Sequence, residues 1–249
     1  MSRCAVRHVI GSAVVALALS GWAGPAFADQ PAALETVTSS DQVVLVSAPA
    51  LTSTKGTLRT YQRSAGRWTQ IGRPTPVFLG IHGLVAGNQR IQSTGKTPMG
   101  RYRLTSAFGR QPDPGAHLPY VRVDHDDAWT YDPRVPATYN LFQSAPRPWA
   151  SYGRFVEHLW QMGPQYDYVV ATDFNAPPGP IVRTADGINR ASQPANTRRG
   201  GGIFLHVSKG VPTAGCISMP KVRMRELVTW LKPASNPIVV IGLERQLTK

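Results

Sequence analysis

Gly201-Gly202-Ile203-Phe204-Leu205-His206-Val207 runs into Ser208-Lys209-Gly210-Val211-Pro212, then into Thr213-Ala214-Gly215-Cys216-Ile217-Ser218-Met219-Pro220. A β-like apolar run carries His206 near its end, and a Gly/Pro-bearing loop returns the chain to Cys216. Beyond Pro220, the residues Val222, Met224, Leu227, Val228 and Leu231 recur at helical spacing. Ser218 is the expected N-cap of that helix, Pro220 suits its first turn, and Lys232-Pro233 ends it.

Outside this stretch the pattern is one of short strands and turns. Val43-Val44-Leu45-Val46 is a continuous apolar run. Thr57 to Tyr61 and Trp68 to Ile71 flank Ser64-Ala65-Gly66, a hairpin signal. Residues 76–81, 101–105, 120–123, 166–172, 181–184 and 237–241 read as further strands, and about 151–160 as a weaker helix. Gly and Pro number 23 and 22, which is rich in turns without internal repeats or low-complexity blocks. Many short strands and few helices predict a mainly β fold, a sandwich or barrel.

The ends and the charge narrow the setting. Arg3 and Arg7, an apolar stretch from about Val9 to Trp22, and Ala26-Phe27-Ala28 predict a signal peptide over 1–28, cleaved before Asp29. The apolar stretch is short for a span of about 20 residues, and no other segment predicts a membrane span in the mature chain. Residues 29–40 read as a short polar lead-in and 41–249 as a single domain. The net charge is +13, or +11 without Arg3 and Arg7. Such a field favours polyanions, and for an exported protein these are anionic cell-wall polymers or lipid head groups. Genome composition is the competing explanation for the excess of arginine. No nucleic-acid module is recognisable. His82, His117 and His158 lack zinc spacing. Asp124-His125-Asp126-Asp127 reads as a solvated turn, because successive residues of an extended chain point to opposite faces. Neither a metal nor another cofactor is expected. Trp129, Trp149 and Trp160 read as packing residues or as the wall of a cleft.

Cys216 has only Cys4 as a second cysteine, and Cys4 belongs to the segment expected to be removed. An exported thiol without a disulfide partner points to nucleophilic chemistry, with a buried structural cysteine as the other reading. A nucleophilic cysteine acts as thiolate, and a neighbouring His or a helix N-terminus lowers its pKa. His206 would accept the thiol proton and return it to a leaving amine. The backbone N–H groups of Gly215 and Cys216 would face a developing oxyanion. Ser208 or a backbone carbonyl would orient His206. Arg198 and Arg199 would contact a substrate carboxylate.

The run His206…Thr213-Ala214-Gly215-Cys216-Ile217 resembles the signature of YkuD-type L,D-transpeptidases. Gly95-Lys96-Thr97-Pro98-Met99-Gly100-Arg101-Tyr102 is similar to a second segment of that family, and Tyr166-Asp167-Tyr168-Val169-Val170 to Asn175 to a third. The resemblance implies an L,D-transpeptidase-like β-sandwich/barrel with one helix following the catalytic cysteine. It implies that Cys216 is the nucleophile, His206 the base and Gly215–Cys216 the oxyanion hole. It also implies peptidoglycan stem peptides as substrate, cut after their third residue with release of the terminal D-alanine and transfer of the acyl group to an amine. Many members have a longer His-to-Cys interval and an Arg or Asn where this chain has Ser218. The short interval resembles an actinobacterial variant with IFLHV and PTAGC elements. The same Cys–His pair would also serve an L,D-carboxypeptidase or cross-link hydrolase, and a non-catalytic wall-binding module would keep the fold alone.

Overall fold

The computed structural model describes residues 1, 30–144, 149 and 154–248. Residues 2–28 of the expected signal peptide, Cys4 among them, lie outside the described residues. The strands are β1 (Gln42–Ala48), β2 (Lys55–Ser64), β3 (Arg67–Phe78), β4 (Leu84–Ala86), β5 (Thr97–Gly109), β6 (Tyr120–Arg122), β7 (Ala128–Thr130), β8 (Leu141–Gln143), β9 (Val156–His158), β10 (Val169–Thr172), β11 (Ile181–Arg183), β12 (Asn189–Ala191), β13 (Phe204–Val207), β14 (Ile217–Met219) and β15 (Ile238–Leu243). The helices are α1 (Ala32–Glu35), α2 (Lys221–Trp230) and α3 (Glu244–Leu247).

Strand pairing closes on itself. The order β5, β10, β13, β14, β3, β2, β1, β15 returns from β15 to β5, so the expected β architecture is a barrel. Closure removes the open edges that would otherwise invite foreign strands. The long strand β5 makes the closure. Its Gly100–Arg103 segment pairs with β15 and its Leu104–Phe108 segment with β10, across a bulge between Ala171 and Thr172.

The Val43–Val46 run is apolar throughout because both faces of β1 are covered. Val44 and Val46 enter the barrel core with Leu205, Ile217 and Met224. Val43 and Leu45 face outward against Leu34, Val37 and Leu247. Part of the lead-in, Ala33 to Val37, therefore packs on the barrel. The β2–β3 hairpin turns at Ala65 and Gly66, both at positive φ (48° and 76°), as a two-residue turn between twisted strands requires.

Helix α2 buries Met224, Leu227 and Val228, an i, i+3, i+4 face, into the barrel core. Val222, assigned to the same face from the sequence, is exposed. Ser218 is not its N-cap. It lies in β14, and Pro220 occupies the cap position without a side-chain hydrogen bond. In place of the α-helix expected over 151–160, residues 156–158 form β9 where the chain is described. The sheet β8-β7-β9 sits over the outer face of β10 and β13, burying Phe108, Leu159, Tyr166 and Phe204. Among the described residues no helix is long and apolar enough to cross a membrane.

Candidate active site

Strands β13 and β14 are parallel, with Leu205 opposite Ile217 and His206 opposite Ser218. Alternation sends Leu205, Val207, Ile217 and Met219 into the barrel core. Phe204, His206 and Ser218 therefore share the outward face, and Cys216 packs beside Phe204 under the three-stranded sheet. The loop 208–215 is pinned to the end of β3. Thr213 N–H donates to Leu79 O at 2.9 Å, and Ile81 N–H donates to Thr213 O at 2.8 Å.

The cysteine is held on several sides. Its Sγ–H donates to Gly202 O at 3.2 Å, and Phe204 N–H donates to Sγ at 3.4 Å. Asn140 fixes Gly202 in turn. Asn140 Oδ1 accepts Gly202 N–H at 2.9 Å, while its Nδ2 donates to the carbonyls of Phe174 and Asn175. Asn175, from the third family-like segment, ties down the glycine run by donating to Gly200 O at 2.7 Å. Gly215 has φ 137°, and a Cβ there would stand 2.9 Å from Lys96 O, so both conformation and space require glycine. The Gly215 N–H donates to Thr213 Oγ1 at 3.1 Å, and Thr213 Oγ1–H donates to Cys216 O at 2.7 Å. In this state Gly215 shapes the loop, and its N–H reaches an oxyanion only by leaving Thr213.

His206 and Cys216 line one cavity of about 200 Å³, together with Glu157, Tyr166 and Ser218. Among the described residues no hydrogen bond joins the two side chains directly. Val207 O lies 2.9 Å from His206 Nδ1, so a backbone carbonyl, not Ser208, orients the ring. Ser208 Oγ instead accepts Gly210 N–H. The Tyr166 ring meets the imidazole edge to face at 5.6 Å. Burial lowers the His206 pKa to about 4 and, with the charge of Glu157, raises that of Cys216 to about 12. The resting pair is a neutral imidazole and a neutral thiol. The expectation of a helix-lowered thiol pKa fails because all of β14 separates Cys216 from the start of α2, and the dipole effect fades within a turn.

A second cavity, of about 140 Å³, also reaches Cys216 and is lined by Arg90, Arg154, Glu157 and the Gly200–Gly202 backbone. The sequence reading missed Arg90. It is buried, its Nε donates to Lys96 O at 3.0 Å, its Nη1 donates to Arg199 O at 2.7 Å, and its guanidinium sits over Phe174. Arg198 and Arg199 line neither cavity. Arg199 donates to Gly87 O and stacks on Phe174, and Arg198 is exposed. An Arg six residues before Lys96 would have been the only sequence signal for Arg90, through its proximity to the second family-like segment.

Other residues weighed from the sequence fall outside the site. Exposed His82 contacts Thr94 O through Nδ1, His117 is exposed, and His158 lines neither cavity. Asp124 to Asp127 form a turn in which Asp127 Oδ2 accepts Asp124 N–H and Asp124 Oδ1 accepts Asp126 N–H. Trp129 packs on Phe108 and Phe204, Trp149 is buried, and Trp160 lies under Arg110. Among the described residues no three His, Cys, Asp or Glu side chains group as a metal site.

Among curated proteins, none matches this chain in sequence. Two solved structures are similar in part. The Bdellovibrio bacteriovorus protein Bd1075 is 16% identical over 82% of this chain and 48% of its own, with a TM-score of 0.38. A mutant of the helical cell shape determining protein Pgp2 from Campylobacter jejuni is 16% identical over 90% of this chain and 51% of its own, with a TM-score of 0.41. The chain thus spans about half the length of each. The family model for the YkuD L,D-transpeptidase catalytic domain matches residues 41–241, which include both cavities and the His206–Cys216 loop, and the chain belongs to that family.

Proposed function

We propose that this protein is a secreted L,D-transpeptidase that carries a stem-peptide acyl group on Cys216 and passes it to an amine. The observation that supports this most is that Cys216 lines two cavities, one of which His206 also lines. A transferase needs room for two peptides on one sulfur. The donor carbonyl meets Sγ, and His206 takes the thiol proton as the S–C bond forms, which a neutral imidazole beside a neutral thiol can do in one concerted step. The backbone at Gly215–Cys216 receives the developing oxyanion once the Gly215 N–H leaves Thr213 Oγ1. The proton then passes from His206 to the departing D-alanine amine. Arg90 and Arg154 give the second cavity a positive lining suited to the carboxylates of a stem peptide. Export follows from the signal peptide expected over 1–28, and the net positive charge favours retention near anionic wall polymers.

The test is mass spectrometry of products from a disaccharide-tetrapeptide and an added D-amino acid. Exchange of the fourth residue by the unmodified protein, lost in His206→Ala, is the expected result. Tripeptide without exchange would assign hydrolysis to the same pair, and no product would reject catalysis on this substrate.

A further inference from the structure

Among the described residues, three line both cavities at Cys216: Ala214, Cys216 itself and Glu157. Glu157 is, among the described residues, the one acidic side chain lining either. It is the middle residue of β9, paired with Trp129, and Tyr166 Oη–H donates to its Oε2 at 2.5 Å. Its neighbours come from several elements. Tyr166 reaches it from the segment before β10, Tyr131 from the end of β7 and Cys216 from the loop before β14. Arg90 and Arg154 share the second cavity with it, and His206 and Lys209 the first. Glu157 is half-buried, with one hydroxyl donor to offset its partial desolvation, and a carboxyl so placed in a cleft points to a task.

The task is visible in the second half of the reaction. The donor stem brings carboxylates, for which the site has arginines. The acceptor brings an ammonium group, which must find a negative partner and lose a proton before its nitrogen can attack. We propose that Glu157 receives the acceptor: its carboxylate binds the incoming ammonium and takes one proton from it, freeing the amine to attack the thioacyl carbon on Cys216. This rests on the transpeptidase reading above and names the residue that selects an amine over water.

The step balances as follows in atoms and charge. The ammonium and the Glu157 carboxylate become a neutral amine and a carboxylic acid. The nitrogen lone pair forms the C–N bond, the C–S bond breaks with its electrons on Sγ, and the remaining excess proton on nitrogen moves through His206 to sulfur. Amide and thiol result, and Glu157 returns its proton to water as product leaves. Burial holds the Glu157 pKa up at about 7 against about 4 for His206. Glu157 is therefore the stronger base of the two, and it is ionised in the range where amine acceptors are still ammonium ions.

The experiment compares two acceptors with the same donor. D-methionine arrives as an ammonium ion, whereas hydroxylamine is already neutral at assay pH and needs neither charge recognition nor deprotonation. In Glu157→Gln the ratio of D-methionine exchange to hydroxamate is expected to fall about 100-fold, the scale of a general base. A ratio equal to that of the unmodified protein would overturn the role of Glu157 while leaving transpeptidation intact. Neither product from the unmodified protein would instead overturn the transpeptidase reading itself. If the variant makes neither, the unmodified protein decides through pH. The ratio should level off above about pH 7 as Glu157 ionises. A continued rise of about tenfold per pH unit up to pH 9, tracking free amine alone, would overturn the proposal.

Discussion

Cys216→Ala is expected to lower turnover of a tetrapeptide stem by at least about 10⁴-fold, because it removes the sulfur that carries the covalent intermediate in the proposed mechanism. The protein should remain folded. Cys216 is buried beside Phe204, but the change deletes a single sulfur and the small cavity costs on the order of 1 kcal/mol. For a domain of this size that corresponds to a Tm lower by about 2–4 °C. The two bonds lost, to Gly202 O and from Phe204 N–H, are weak sulfur contacts, and Asn140 still fixes Gly202. Turnover assayed beside thermal unfolding separates the cases. Activity within tenfold of the unmodified protein would remove Cys216 from the chemistry, and loss of folding would make it structural.

The resting thiol should be slow to alkylate. Burial and the charge of Glu157 both penalise the thiolate, so the thiol pKa rises, and at neutral pH the thiolate fraction falls below that of a free cysteine. With the pKa near 12 against about 8.5 for a free thiol, the deficit is about 10³-fold. Iodoacetamide should modify Cys216 about 10³ times more slowly than glutathione at pH 7.5, and the rate should climb without a midpoint below pH 9. The sign matters for mechanism. A midpoint at or below 8.5 would mean a preformed thiolate–imidazolium pair, whereas the buried neutral pair delays ionisation until a donor carbonyl is in place. Such a nucleophile is protected from oxidation and stray electrophiles.

What the sequence disclosed and what it hid divide along sequence distance. Val43–Val46, the Ala65-Gly66 turn and the α2 periodicity were legible because each is governed by neighbours a few residues away. His206 and Cys216 were legible because strand, short loop and return lie in one stretch, and parity alone puts both on the outward face. Ser218 was misassigned to a helix cap since a three-residue strand such as β14 is too short to show alternation before Pro220. Residues 156–158 looked helical, and their pairing with β7 depends on Ala128–Thr130, far upstream. The same distance hid Arg90 and Glu157. Arg90 comes to Cys216 through Lys96 O and Arg199 O, and Glu157 through a sheet that only the folded barrel supports. The lead-in looked polar because Leu34 and Val37 are isolated apolar residues whose partners, Val43, Leu45 and Leu247, include the far end of the chain.

The most direct measurement is the intact mass of the unmodified protein, acid-quenched within the first turnovers on a disaccharide-tetrapeptide. A mass increase equal to the donor minus alanine, located on the peptide that contains Cys216 and discharged by an added D-amino acid, is the predicted result. Product formation without any adduct on Cys216, or with the adduct on another residue, would contradict the account.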